Sequence, residues 1–218
     1  MGIPYGGTPG LGAGSKMPYF QDSDWGANAP ILNGLSIGAG LRYVAGGHHP
    51  NAYAAHALLP TGGTVYGSRC FVPPGEVLTT VAVAVAVINI TPTAAENLIG
   101  IYSAAGNLLW VSSDQGANYT TLGINQLQLN GNGAAGYGDI TVPSGSPWVD
   151  VVQLQNAGTI AYLWDLLYVT LTPGVACKAG TQTDGTATAW TGRTGATTLA
   201  ATTGTQTGIL TQYFAAVG

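Results

Sequence analysis

The feature that most constrains the fold is a run of alternating valine and alanine between Thr79 and Ile90. Valine occupies every second position from Val81 to Val87, and alanine fills the positions between. Because successive side chains of an extended strand point to opposite faces, the run predicts a strand with one valine face and one alanine face. A helix would scatter the same valines around its circumference, and β-branched residues favour strands.

Both faces of this strand need cover, because an exposed apolar strand promotes aggregation. We expect the valine face to meet the core of a sandwich and the alanine face to lie against a second layer or another subunit. Only 6% of the residues are charged, against about 25% in an average soluble protein. Thr, Ser, Asn, Gln and Gly take their place, and such a surface suits contact with neighbouring subunits, since unpaired charges are costly to desolvate.

The region from residue 64 to residue 172 predicts a series of short strands with turns at intervals of about ten residues. After the valine–alanine run, strands are expected at 98–103, 108–112, around 119–122, and at 126–129, 139–142, 148–155 and 160–172. The last run has leucines at helical spacing, but its aromatic and β-branched residues favour a strand. A very flexible glycine-rich loop is expected at 130–136.

The two ends of the chain differ from this centre in composition. Residues 1–60 are rich in Gly, Pro, Asn and Ala, and predict an extended arm. Residues 173–208 are rich in Thr, Gly and Ala, and a final strand or docking peptide is expected at 209–214. We therefore predict an all-β, jelly-roll-like antiparallel β-sandwich over residues 61–218, including the Thr/Gly-rich C-terminal region, preceded by the arm.

The charge pattern argues against several partners. Five basic residues stand singly along the chain, so no stripe matches a run of phosphates and no polybasic segment suits a membrane surface. The most apolar run is far shorter than the roughly 18 residues of a membrane-spanning helix. The N-terminal residues show no secretory signal, so synthesis in the cytoplasm is expected. Cys70 and Cys177 are accordingly predicted to be free thiols.

Motifs of binding chemistry are incomplete. The glycine-rich segment at 10–16 lacks the lysine placement of a phosphate-binding loop. His48, His49 and His56 form the histidine cluster of the sequence. With nearby acids they offer a metal site, but adjacent histidines of a strand point to opposite faces, and loop histidines without metal are the favoured interpretation. We predict no metal and no cofactor.

Motifs of catalysis are equally incomplete. No nucleophile stands in the GxSxG context of a serine hydrolase. Paired carboxylates for glycoside hydrolysis remain conceivable among four aspartates, namely Asp114, Asp139, Asp150 and Asp165. Acids placed singly in strands more often lie on a solvated face or an interface. We predict that the chain is not an enzyme.

Aromatic side chains are the remaining functional signal, because they stack on sugars and fill protein interfaces. The candidate contact residues are Tyr19, Phe20, Trp25, Tyr137 and Trp190. The first three lie in the predicted arm, which suggests that the arm docks on its own domain or on a neighbour. Tyr137 lies in the glycine-rich loop and is the candidate expected to be most exposed.

Two segments carry a resemblance to a known group of proteins. The first is GIYSAAGNLLWVSSDQGANY at 100–119, after the long apolar strand, and the second is PSGSPWVDVV at 143–152. Together they are similar to a hairpin and a turn-plus-strand in the jelly-roll domains of tailed-phage virion proteins. The similarity is strongest to minor tail, fibre and head-decoration proteins of phages that infect actinobacteria. It covers about half of the chain, residues 64–172.

The resemblance implies a structural protein of the virion that assembles with itself, a homotrimer being the first expectation, and docks on other virion proteins of the capsid or tail. It implies no catalytic residues. A second hypothesis is a carbohydrate-binding module at the tail tip that recognises a host surface glycan through exposed aromatics. A third is an enzyme acting on glycans through Asp150 or Asp165.

Overall fold

The computed structural model describes residues 31–32, 35–36, 40–45, 56–58, 60–87, 91–157, 162–165, 169–171, 175–177, 189–209 and 213–218. These residues form β-strands joined by turns, with a 3-10 turn at Asn118–Thr120 and a short helical turn at Leu129–Asn132. The strands are β1 (Ile31–Leu32), β2 (Leu35–Ser36), β3 (Tyr43–Val44), β4 (His56–Leu58), β5 (Val65–Phe71), β6 (Val77–Leu78), β7 (Thr80–Val87), β8 (Leu98–Ser103), β9 (Leu108–Val111), β10 (Gly123–Gln128), β11 (Ile140–Thr141), β12 (Trp148–Leu154), β13 (Tyr162–Asp165), β14 (Val169–Leu171), β15 (Val175–Cys177), β16 (Ala189–Thr191), β17 (Thr207–Gly208) and β18 (Ala215–Val217).

Two six-stranded antiparallel sheets make up the sandwich, which confirms the predicted all-β class. The first sheet has the order β3-β18-β7-β13-β4, and β10 also pairs with β7. Because β10 and β18 pair with the same residues of β7, they take its opposite edges. The second sheet has the order β17-β16-β5-β12-β8-β9. Two-stranded ribbons are formed by β1 with β2, β6 with β11, and β14 with β15.

The valine–alanine run forms β7 at the centre of the first sheet, as its periodicity predicts. Val81, Val83 and Val85 are each 0% exposed and pack in the main core with Val149 and Val151 from the second sheet. Their branched side chains fill the space between the sheets, which is where most of the stabilisation from apolar burial arises.

Most of the alanine face of β7 is also covered within one chain, although Ala86 is only half-buried. Ala82 is 0% exposed and Ala84 is 1% exposed. Of the two expected covers, a second layer or another subunit, a neighbouring subunit is therefore not required. The need to seal this strand does not argue for oligomerisation.

A second, smaller core lies on the outer face of the second sheet. Val152, Leu154 and Trp190 belong to it, and Leu199 packs against it. The segment at 192–203 covers this face, and its main chain is bonded to the sheet: the Leu108 N–H donates to the Ala201 carbonyl at 2.9 Å. The described part of the Thr/Gly-rich region therefore packs on the second sheet.

The region predicted to be an arm contributes strands to the first sheet. β3 pairs with β18, and β4 pairs with β13. These two strands of the predicted arm therefore dock on the sheet of their own chain, one of the two docking places expected for the arm, because long-range pairing draws short segments of weak periodicity into the sheet. Residues 1–30 lie outside the described part of the chain.

Several expected strands are confirmed, including both strands of the β8–β9 hairpin and β12. Within the single strand expected at 160–172, β13 and β14 are both extended but belong to different sheets. The strand expected around 119–122 is wrong, because a 3-10 turn stands there. The Asn118 and Tyr119 N–H groups both donate to the Gln115 carbonyl, at 2.9 and 3.2 Å. The Thr120 hydroxyl donates to the Ala117 carbonyl at 2.7 Å, and such local bonds compete with a ladder.

Two further differences concern the glycine-rich loop and the end of the chain. The loop begins as a helical turn, and the Ala134 N–H donates to the Val111 carbonyl at 2.9 Å, so this part is held against β9. The final strand is β18, a few residues beyond the predicted 209–214. Phe214 is 0% exposed, and its carbonyl accepts a bond from Gln153 Nε2 at 3.3 Å.

Neither described helical turn is long or apolar enough to cross a membrane.

An unfavourable backbone conformation at Ala95 gives a stability prediction. Ala95 has φ 65°, in an exposed turn closed by a bond from the Glu96 N–H to the Thr93 carbonyl at 3.3 Å. The left-handed region costs a residue with a Cβ about 1–2 kcal/mol, and glycine is free of that cost but loses more entropy on folding. Ala95→Gly should therefore stabilise the fold by about 0.5 kcal/mol, measured by urea denaturation. Ala94→Gly is the matched control, and we expect it to destabilise; a loss for both variants would contradict the prediction.

Candidate functional site

Exposed apolar side chains are few in the described part of the chain. Tyr137 is 37% exposed, Val77 is 49% exposed and Leu122 is 62% exposed. Tyr137 stands in the loop after the helical turn, where its N–H donates to the Ala134 carbonyl at 3.0 Å. The exposure predicted for Tyr137 is confirmed. Tyr137 is thus partly exposed on a turn that is closed by a main-chain hydrogen bond.

Trp190 is a candidate contact residue that the structure places in the interior. It is 2% exposed. Its indole lies over Gly67, the residue opposite it in the β16–β5 pairing. A Cβ on Gly67 would come within 2.5 Å of Trp190 Nε1 and still closer to two ring carbons. The ring is therefore unavailable for stacking on a sugar, and the expectation of an exposed contact at Trp190 is wrong.

The other three candidates, Tyr19, Phe20 and Trp25, lie outside the described residues. The same holds for His48 and His49, while His56 is described only as part of β4. Among the described residues, no cluster of three His, Cys, Asp or Glu side chains could hold a metal ion.

A buried ion pair joins two neighbouring strands of the second sheet, and Trp190 is hydrogen-bonded to it. Arg69 of β5 and Asp150 of β12 stand opposite each other in the register. Arg69 Nε donates to Asp150 Oδ1 at 3.0 Å, and Trp190 Nε1 donates to Asp150 Oδ2 at 3.1 Å. The guanidinium carbon of Arg69 lies 4.2 Å from the ring centroid of Trp148. A charged pair is thus held between two tryptophans.

This geometry decides the role of Asp150. The residue is 2% exposed, and both of its carboxylate oxygens accept hydrogen bonds within the protein. A carboxylate held in this way stabilises the contact between β5, β12 and β16 and has no open side toward a substrate. Asp114 is exposed, and its Oδ1 accepts a bond from the Asn97 N–H at 3.2 Å. The side chain of Asp165 lies outside the described residues.

The sequence interpretation missed Arg69 as the partner of Asp150. A signal is present in the alternation: Cys70 and Val149 both face the main core, so Arg69 and Asp150 both face outward. Two opposite charges on the outer faces of two apolar strands are expected to pair when those strands are neighbours. That β5 and β12 are neighbours does not follow from the local sequence.

Three buried groups, the Cys70 thiol and the phenols of Tyr102 and Tyr119, are held in their neutral forms. Cys70 is 0% exposed and free, as predicted, whereas the side chain of Cys177 lies outside the described residues. Burial raises the pKa of the Cys70 thiol well above its usual range, and the nearby charge of Asp150 adds to the increase. Burial raises the pKa of Tyr102 to about 12, partly offset by Arg193. Burial likewise raises the pKa of Tyr119, whose hydroxyl finds no partner among the described residues.

These shifts predict a loss of stability in alkali. A buried thiol or phenol keeps its proton in the native state, while the unfolded chain loses it near pH about 8.5 for Cys and about 10 for Tyr. The associated stability is complete below those values and falls as pH rises, by up to about 1.4 kcal/mol per pH unit for each group. The Cys70→Ala variant should decline less steeply between pH about 8.5 and 10, measured by denaturant titration across pH. Parallel curves for the variant and the unchanged protein would contradict this.

The outer segment at 194–208 presents an uncharged surface. Its exposed residues are Thr194, Gly195, Thr197, Thr198, Ala201, Thr202, Gly204, Thr205, Gln206, Thr207 and Gly208. The last two form β17, the edge strand of the second sheet. No charge has to be desolvated when such a surface meets another protein.

Comparisons with known proteins give no match for this chain. No family model matches it, and neither a curated protein nor a solved structure is similar to it at a significant level.

Proposed function

We propose that the chain is a structural protein of a tailed-phage virion, either a capsid decoration protein or a minor tail or fibre subunit. In this proposal it is made in the host cytoplasm, assembles with itself as a trimer, and docks on other virion proteins. Its sandwich would be a jelly roll. No cofactor, nucleic acid or membrane takes part.

The observation that carries the proposal is the position of the two segments that resemble virion proteins. The segment at 100–119 forms most of the β8–β9 hairpin and the turns after it, and the segment at 143–152 enters β12. β8 and β12 are neighbours, paired from Val149 with Ser103 to Leu154 with Leu98. Two segments separated in the sequence thus form one continuous piece of the second sheet, as a shared structural unit requires.

The surface supports the same proposal. The exposed residues of 194–208, the segment that follows Arg193, are all uncharged. In the whole chain only 6% of the residues are charged. Monomers of this size usually remain soluble through a charged surface. A protein that buries much of its uncharged surface against sister subunits and virion partners has less need of one.

The test has two parts. Light scattering on the purified recombinant protein should give three times the 22.0 kDa mass of one chain. Phage particles are then purified from host cells in which this protein is made. Antibodies raised against the recombinant protein should label these particles at regular positions on the head or tail. A monomer in solution together with unlabelled particles would refute the proposal, whereas labelled particles with another oligomeric state would change only the copy number.

The alternative is a carbohydrate-binding module at the tail tip, and the exposed ring of Tyr137 is the observation that favours it. Aromatic rings stack on sugar faces, so Tyr137→Ala should reduce binding of the recombinant protein to host cell-wall glycan by at least about tenfold. Leu122→Ala is the matched control, because it removes a side chain of greater exposure that offers no ring. Binding that is absent from the start, or equally weakened by both variants, would exclude stacking at Tyr137.

A further inference from the structure

Two Asn–Gly pairs lie next to each other in the turn after β10. They are Asn130–Gly131 and Asn132–Gly133. Asparagine followed by glycine is the pair in which a side-chain amide and the next main-chain nitrogen meet with least steric hindrance, because glycine has no Cβ. Both pairs have the same residue types, so the local sequence predicts the same reactivity for each. The structure places them in different surroundings.

The second pair is held by hydrogen bonds on every side. Asn132 Nδ2 donates to the Gln128 carbonyl at 2.8 Å, and the Asn132 carbonyl accepts from the Ser113 N–H at 2.8 Å. The Gly133 N–H donates to the Leu129 carbonyl at 3.2 Å. In deamidation, the main-chain nitrogen of the glycine attacks the side-chain amide of the asparagine. At Asn132 and Gly133, both of these groups are engaged in hydrogen bonds.

The first pair is open. Asn130 and Gly131 are both exposed, and a Cβ on Gly131 would meet nothing within 4 Å. Gly131 has φ 115°, a conformation in which glycine is unstrained. Within the described part of the chain, the Asn130 side-chain amide forms no hydrogen bond, and both Asn130 and Gly131 have non-helical φ/ψ angles.

We propose that Asn130 is a site of spontaneous deamidation and that Asn132 is protected from it by the fold. The Gly131 main-chain nitrogen, after losing its proton to solvent, attacks the side-chain carbonyl carbon of Asn130. The bond from that carbon to the amide nitrogen breaks, and ammonia leaves with a proton from water. Water then opens the succinimide at either carbonyl, which gives aspartate or isoaspartate at position 130.

The product differs from the original chain in two respects. It carries one additional negative charge on a surface with few charges, and the isoaspartate form lengthens the main chain by one carbon at an open turn. Neither consequence depends on the proposed virion role. The modification is a property of the turn itself.

The experiment compares the two sites within one molecule. The whole protein is incubated in mildly alkaline buffer, folded or in concentrated urea, and the two asparagines are followed by mass spectrometry with fragment-ion sequencing. An enzyme that methylates isoaspartate provides a second readout. In the folded protein we expect Asn130 to react more than about tenfold faster than Asn132, because the protected site reacts only after local opening. In urea the two rates should become similar.

An Asn130→Gln variant should lose the early product at position 130 while remaining folded, because the residue is exposed. Equal rates at the two sites in the folded protein, or faster reaction at Asn132, would overturn the proposal. A rate ratio that urea leaves unchanged would also overturn it, since it would show that neighbouring residues and not the fold set the difference. Asn33–Gly34 lies outside the described residues, and its products are separated by their position in the sequence.

Discussion

Gly67→Ala is expected to destabilise the protein by about 3–5 kcal/mol, enough to unfold a marginally stable domain. The added Cβ would come within 2.5 Å of Trp190 Nε1. The indole cannot simply move away, because Trp190 is 2% exposed and its Nε1 donates to Asp150. Displacing it would strain the small core and leave a buried carboxylate without one of its donors. The measurement is the free energy of unfolding in urea.

Two variants separate this packing effect from the general cost of adding a methyl group. Gly145→Ala is the matched control: it lies in an exposed turn, and its Cβ would meet nothing within 4 Å. It should change stability by less than about 0.5 kcal/mol. In a Trp190→Leu background, Gly67→Ala should cost much less, because the atoms that clash are gone. An equal cost in both backgrounds would show that the indole is not the cause.

Removing one partner of the buried ion pair is the second change with a large expected effect. Arg69→Met should destabilise the fold by about 3–5 kcal/mol, because it leaves the Asp150 carboxylate buried without its counter-charge. Asp150→Leu should be costly for the converse reason, and it also deprives Trp190 Nε1 of its acceptor. Asp150 is 2% exposed and Arg69 is 8% exposed, so water can compensate little in either variant.

The double variant with both changes tests the mechanism. Because no unpaired charge remains, its loss of stability should be clearly smaller than the sum of the two single losses. The coupling is obtained from the free energies of unfolding of all four proteins in a double-mutant cycle. Additive losses would mean that the two charges do not stabilise each other in the native state. The half-buried surface pair of Arg42 with Glu76 provides the reference, with an expected coupling of at most about 1 kcal/mol.

The parts of the fold that follow local rules could be predicted from the sequence. The period of two in the valine–alanine run determines that β7 is extended and double-sided. The hairpin of β8 and β9 follows from a glycine turn between apolar runs; Gly106 has φ 78°, which such a turn favours. The valine–alanine alternation, together with the series of short apolar segments separated by turns, indicated that the class is all-β.

Partners that are distant in sequence could not be predicted. Nothing near Trp190 reveals that its ring covers Gly67, and the glycine itself gave no signal until the two strands were known to pair. Arg69 was overlooked for the same reason. β3 and β4 are too short to show periodicity, so the region containing them was assigned to an arm. Pairing of strands that are far apart in the sequence decides all these features, and single-sequence patterns carry little information about it.

The position of β18 has a consequence for how the protein is made. This strand pairs with β7 and β3 in the first sheet, and Val217 at its end is 0% exposed. During synthesis β7 leaves the ribosome long before β18 has been made. Until then, the edge of β7 that pairs with β18 remains unpaired, and β7 is prone to aggregate. Nascent chains that meet at this stage can pair β7 with β7, and a chaperone that shields the edge should raise the yield of soluble protein. Slow translation lengthens the time during which this edge of β7 is unpaired, so it should lower the yield of soluble protein.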